Sequence, residues 1–153
     1  YGGSLGREKA TGQGVVDTLV EMLPELNLKP EQCTFSVLGY GNVGSWSARL
    51  FQDRGAKLTA VMDHTGAIRN DNGIDTELLA AHVAKASGVA GYGKGGSGAG
   101  SADAISNEQF YKTKVDCFIP AALEQMVKEQ EAQWIDAKVV IEGANFDGRV
   151  RRV

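Results

Sequence analysis

The stretch VLGYGNVGSWSARLF, residues 37–51, restricts this chain more than any other. Three glycines stand as G-x-G-x-x-G at 39, 41 and 44, with the β-rich run CTFSVLG (33–39) leading in. After them Val43, Trp46, Leu50 and Phe51 share one helical face, which Gly55 ends before a second β-rich run, KLTAVMD (57–63). Strand, glycine turn, helix and strand make a βαβ unit, with the right-handed crossover expected of parallel strands. The three glycines then have separate physical roles. Gly39 permits the tight turn, Gly41 admits a ligand close to the backbone, and Gly44 lets helix and strand pack. The helix beginning near Asn42 points unpaired N–H groups at the turn, where a phosphate can sit.

A second requirement of a dinucleotide turn is an acidic residue at the end of the next strand, about 20 residues on. Asp63 stands nineteen positions past Gly44 and could accept hydrogen bonds from an adenosine ribose. A carboxylate there favours NAD over NADP, because a 2′-phosphate charge 4 Å away costs up to about 4 kcal/mol in a surface-like dielectric. His64, or Arg69 folding back, could offset that repulsion, so either cofactor remains open. Hydrogen bonds to a charged group contribute roughly 1.5–3 kcal/mol each, and the helix dipole adds about 0.3–1. A chain of net charge −3 can therefore hold an anionic dinucleotide locally without lysine.

The remaining pattern alternates helices and strands. Val15, Val16, Leu19, Met22 and Leu23 recur at helical spacing over 8–25, with Pro24 disrupting the end. HTGAIRNDNG reads as a loop, and Asp75 caps a helix through about Ser87 with Leu78, Leu79 and Val83 inward. KVDCFI (114–119) and KVVIEG (138–143) read as two more buried parallel strands, separated by a helix over 121–135. This order predicts an α/β fold with a doubly wound, mostly parallel, Rossmann-like sheet. GVAGYGKGGSGAG (88–100), seven of whose residues are glycine, reads as a mobile surface loop. It mimics a phosphate-binding G-x-x-x-x-G-K loop, but Gly95 stands where Ser or Thr must hold magnesium, and no strand precedes it.

Composition removes several classes. Hydrophobic residues make up 42% and charged residues 23%, a globular profile, and no apolar stretch approaches the roughly 20 residues of a membrane span. The only basic cluster, GRVRRV at the C-terminus, reads as a frayed or foreign tail rather than a nucleic-acid stripe. Cys33 and Cys117 are too few and too far apart for a zinc site or disulfide framework, and read as buried thiols of a reducing compartment. No metal site is expected. The N-terminal YGGSLGREKATG has neither Met nor a signal-peptide core, and reads as the interior of a longer chain.

GGSLGREKATGQGVV (2–16), GYGNVG (39–44), DHTGAIRNDNGID (63–75), VDCFIPAALE (115–124) and AKVVIEGAN (137–145) follow one another in order. Together they closely resemble the cofactor-binding domain of glutamate dehydrogenase, within the glutamate/leucine/phenylalanine/valine dehydrogenase superfamily. The resemblance implies an NAD(P)-binding domain over 1–145, an atypical tail over 146–153, and reversible oxidative deamination of L-glutamate to 2-oxoglutarate and ammonia. Arg7 and the Ala10-Thr11-Gly12 pattern look like the glutamate branch. By the same resemblance Gly39, Gly41, Asn42, Val43 and Gly44 would hold the pyrophosphate, and Asp63 and His64 would flank the adenosine ribose. Ala121 and Ala122 would line the cofactor cleft beside the ribose and nicotinamide, Thr11 and Asn145 would bind the carboxamide side of the nicotinamide, and Arg7 would face the domain cleft. The parent would be a homo-hexamer of the cytoplasm or mitochondrial matrix, without membrane or nucleic-acid partners.

Two features depart from that pattern. The 88–100 glycine run replaces a more polar segment, and GAN runs into FDGRVRRV instead of a Pro-Thr-rich turn. The family's catalytic lysine and aspartate belong to a separate N-terminal domain, expected to be absent here. Lys9, Lys112 and Lys114 form no recognisable lysine–carboxylate constellation, so no catalytic residue is assigned and the chain alone is expected to lack turnover. A non-catalytic NAD-sensing module, a methyltransferase and a scaffold that binds nothing each explain part of the sequence. The first leaves GGSLGREKATG and PAALE as coincidence, and the second is separated by whether S-adenosylmethionine rather than NADH perturbs the chain's spectrum.

Overall fold

The computed structural model describes residues 2–96, 98–122, 127–143 and 151–152. The strand order among them is β4-β3-β2-β1-β5-β6-β7. The strands are β1 (Thr34–Leu38), β2 (Lys57–Asp63), β3 (Gly66–Arg69), β4 (Asp103–Ile105), β5 (Val115–Pro120), β6 (Ala137–Val140) and β7 (Arg151–Arg152). The central four, β2-β1-β5-β6, pair parallel, while β3, β4 and β7 are added through antiparallel pairings. By direction, β3 and β7 alone run against the rest.

Helices α1 (Gly2–Met22), α2 (Asn42–Asp53) and α3 (Thr76–Ala86) accompany α4 (Asn107–Lys112) and α5 (Glu129–Trp134). One face of the sheet buries Phe35, Val37, Leu58, Val61, Cys117 and Ile119 against Val15, Val16 and Leu19 of α1 and Ala48 and Phe51 of α2. The other buries Leu38, Ala60, Met62 and Phe118 with Phe110 and Tyr111 of α4. With both faces covered, strands such as TFSVL and KLTAVMD are buried almost throughout, Ser36, Thr59 and Asp63 among their buried polar residues. The doubly wound α/β architecture follows. Cys33 and Cys117 are free and buried, and no helix among the described residues is long and apolar enough to cross a membrane.

The structure corrects the sequence reading in several places. The expected loop after Asp63 contains β3, which closes a hairpin with β2 through the two residues His64 and Thr65. Leu78 is 52% exposed rather than inward, whereas Leu79 is fully buried. Of the helix expected over 121–135, the described residues are helical over Glu129–Trp134, with 123–126 outside them, and Ala121 instead donates its N–H to Leu38 O at 2.7 Å, prolonging the β1–β5 pairing. The first helix begins earlier, at Gly2, and after Met22 tightens into a 3-10 turn over Leu23–Leu26, with Pro24 in its first turn. The glycine-rich run is anchored at its start, since Val89 and Tyr92 are buried and Tyr92 meets His82 edge-on at 5.7 Å. Beyond it, β4 and α4 were not expected. Ser106 caps α4 in a reciprocal box with Gln109.

Candidate functional site

The sheet order reverses between β1 and β5, which is where a doubly wound fold leaves a crevice beyond its strand ends. The glycine turn fills one side of that crevice and Ala121–Ala122 the other. Gly39 has φ +90°, a conformation costly for any side chain, and a Cβ there would stand 2.5 Å from the Ala122 Cβ. A Cβ on Gly44 would meet the Gly39 carbonyl oxygen at 2.0 Å and Val37 Cγ1 at 3.3 Å. Gly41 differs from both, because a Cβ there has nothing within 4 Å. Among the described residues, no atom fills that space.

Gly41 is also the N-cap of α2, and no side chain caps that terminus. No acidic residue stands in the first turn. Among the described residues no side-chain cap bond meets the first N–H groups of α2, which with the positive end of the helix dipole suit an anion. Val43 lies beside Gly143, where an added Cβ would approach Val43 Cγ1 and Ala121 Cβ at 3.4 Å each. Asn42, Val43, Ala121, Ala122 and Gly143 thus gather around one cleft.

Tyr40 locks the turn from behind. Its phenol is buried and donates to Thr76 O at 3.0 Å, and burial pushes its pKa far above the usual tyrosine range. Gln52 of α2 adds a second tie, donating to Ile74 O and accepting from Thr76 N and Oγ1. The turn is held rigidly by the two elements that follow it.

Helix α1 brings its own candidates to the same end. Lys9 lies 4.9 Å over the Trp46 ring and Arg54 pairs with Asp17 at 3.4 Å, so α1 and α2 run in the same direction with their N-termini together. Gly12 makes this possible, since a Cβ there would come within 2.9 Å of Trp46 Cβ and 3.0 Å of Ser47 N. Half-buried Thr11 and the backbone of Arg7 accordingly sit toward the glycine-turn end. Asn145 lies outside the described residues.

Asp63 ends β2 as expected, and His64 beside it is exposed. The Asp63 carboxylate is nonetheless already an acceptor. Its Oδ1 takes the Thr65 N–H (2.8 Å) and hydroxyl (2.5 Å), and its Oδ2 takes the Val89 N–H (3.0 Å). The sequence reading missed both partners. Thr65 was detectable in principle, because Asp followed two residues later by Thr is a local turn signature. Val89, twenty-six residues away, carried no such signal.

With the turn and its cleft described, comparison with known proteins settles the lineage of this chain. Residues 2–148 match the model of the Glutamate/Leucine/Phenylalanine/Valine dehydrogenase family. The chain belongs to that family.

Within it, the chain is 40% identical over 145 residues to a glutamate dehydrogenase of Thermotoga maritima. It is 39% identical over 144 residues to an NADP-specific glutamate dehydrogenase A1 of Halobacterium salinarum. Each match covers 94% of this chain and 33% of the relative, so the chain spans about a third of their length. The structure superposes on Plasmodium falciparum glutamate dehydrogenase 2 with a TM-score of 0.76 and 26% identity, over 92% of this chain and 32% of that one.

Among the described residues no group of three or more His, Cys, Asp or Glu could hold a metal ion. Two lysine–carboxylate pairs stand at the other end of the strands from the glycine turn, near the starts of β1, β5 and β6. Lys112 meets Glu108 at 2.7 Å on α4, and Lys138 meets Asp116 at 3.2 Å where β5 and β6 begin.

Proposed function

We propose that residues 1–145 of this dehydrogenase-family chain form the NAD(P)-binding domain of a glutamate dehydrogenase. The observation that carries the reading is the N-terminus of α2, whose N-cap Gly41 opens onto space that no described residue fills. The residues present fit a dinucleotide: N–H groups of Asn42, Val43 and Gly44 for the pyrophosphate, with Gly39 shaping the turn. Asp63 and His64 stand for the adenosine ribose and Ala121 and Ala122 for the cleft beside ribose and nicotinamide, while on the resemblance Thr11 and Asn145 would meet the nicotinamide carboxamide and Arg7 would face the domain cleft.

A nicotinamide dinucleotide bound here supplies the hydride acceptor for oxidation of L-glutamate to 2-oxoglutarate and ammonia. This chain's part is to bind and orient it. Proton transfer needs groups within about 3 Å of the reacting atoms, and the lysine–carboxylate pairs described above stand at the opposite end of the strands from the glycine turn. Turnover by these 153 residues alone is therefore expected to be negligible. Assembly of the whole enzyme as a homo-hexamer, in cytoplasm or mitochondrial matrix, is proposed on the resemblance alone.

Fluorescence titration of the purified chain with NADH and NADPH tests the proposal, repeated with Gly41→Val. Saturable binding of either, lost in the variant while its cooperative melt is retained, supports it. No binding of either by a chain that melts cooperatively overturns it.

A further inference from the structure

The glycine-rich run 88–100 plays no part in the function proposed above, yet its first residues reach the candidate ribose site. Val89 N–H donates to Asp63 Oδ2 at 3.0 Å, and Ala90 N–H donates to Thr65 Oγ1 at 3.1 Å. The same Thr65 hydroxyl donates its proton to Asp63 Oδ1 at 2.5 Å. A hydroxyl has one proton to give and lone pairs to receive, so a single Thr65 side chain links the loop backbone to the carboxylate. Gly88 fits against it so closely that an added Cβ would stand 2.2 Å from Thr65 Cγ2 and 2.3 Å from its Oγ1. His82 fixes the far side of this contact, with Nε2 2.9 Å from Ala90 O.

We propose that Thr65 is a positioning residue for dinucleotide binding, acting through Asp63, and that it makes residues 88–90 part of the adenosine end of the site. The inference rests on the NAD(P) reading. Three neutral donors hold the Asp63 carboxylate in one orientation, and no Lys or Arg pairs with it among the described ion pairs. Its orientation toward a ribose is therefore set by Thr65 and the loop rather than by a cation. The glycines of the run have a matching use. Gly88 admits the Thr65 contact, and Gly91 turns the backbone with φ +84° directly after Ala90.

The test compares the unmodified chain with Thr65→Val, which keeps the branched shape but removes both hydrogen bonds, and with Thr65→Ser, which restores them. NADH affinity is expected to fall about tenfold in Thr65→Val, the scale of one hydrogen bond to a charged group. It should return to within about twofold in Thr65→Ser. Amide hydrogen exchange on the unmodified chain supplies a readout independent of any variant's folding: saturating NADH should raise protection at Val89 and Ala90. Unchanged NADH affinity in a folded Thr65→Val, or exchange at Val89 and Ala90 that ignores NADH, overturns the inference while leaving the NAD(P) reading intact. An unmodified chain that binds neither NADH nor NADPH overturns both.

Discussion

Gly44→Ala should destabilise the protein, while Gly41→Ala, three residues earlier in the same turn, should not. The Gly44 Cβ would lie 2.0 Å from the Gly39 carbonyl oxygen, whereas an ordinary carbon–oxygen contact is about 3.3 Å or more. Relief requires α2 to retreat by more than about 1 Å, and protein interiors have no such slack. Val37 Cγ1, at 3.3 Å from the added Cβ, tightens the clash, and α1, packed on the backbone of Trp46 and Ser47 through Gly12, resists the move. Overpacking of this kind costs about 1–3 kcal/mol, and the upper end applies because the clash is with backbone. Alanine's better helix propensity returns about 1 kcal/mol. The net, about 2 kcal/mol, lowers the melting temperature by roughly 4–8 °C in a chain of this size. At Gly41 the side chain meets open space. Its weaker N-capping is offset by about 0.4–1 kcal/mol of lost unfolded-state freedom, so the melt stays within a few degrees. Circular-dichroism melts of the three proteins, checked for reversibility, measure the difference. A Gly44→Ala melt within about 2 °C of the unmodified chain, or a larger loss in Gly41→Ala, refutes the argument.

Gly12→Ala tests the approach of α1 to α2. Helix propensity alone would gain about 1 kcal/mol, but the 2.9 Å contact with Trp46 Cβ predicts a net loss and a red-shifted Trp46 emission. Asp75→Ala removes the acceptor of the Glu77 and Leu78 N–H groups, both at 2.9 Å, and should cost about 1 kcal/mol and about 2–4 °C in the melt. Stability should also decline in alkali. Burial holds the Tyr40 phenol neutral well beyond its usual 10, and burial with the nearby Glu131 charge pushes Tyr111 up to about 12. Unfolded phenols lose their protons near 10 while the folded ones keep theirs, so this stabilisation is full below pH 10 and is lost as the pH rises toward 12. A melting temperature that holds steady across that interval would contradict it.

The parallel core was legible because its signals are local and strong. TFSVL and KLTAVMD are short apolar runs separated by a helix with one apolar face, and Asp75 stands directly before the helix it caps. The edge strands were not. GAIR and DAI, at four and three residues, are too short to show a period, and each is defined by its partner: Ile68 opposite Val61 and Ala104 opposite Ile68. Leu78 looked inward by spacing, yet Leu79 takes the core position and leaves Leu78 exposed beside Gly100. A seven-glycine run gave no hint of Val89 and Tyr92 as anchors, because single buried residues within a loop have no periodicity to announce them.

At the site the three glycines carry unequal weight. Gly39 and Gly44 are required by the fold itself, one by φ +90° against Ala122 and the other by the Gly39 carbonyl. A scaffold that bound nothing would need both, so neither argues for a ligand. The Asp63 carboxylate is weakened as an argument in the same way, since Thr65 and Val89 give it a structural role without any ribose. Gly41 and the uncapped start of α2 are different. Open space at Gly41 gives the fold no contact, and N–H groups without a side-chain cap forgo about 1 kcal/mol that a serine or aspartate at the N-cap would contribute. A feature that stability does not reward, placed where the sheet order reverses, is what an anion-binding turn requires, and it carries the functional assignment further than the glycine pattern does.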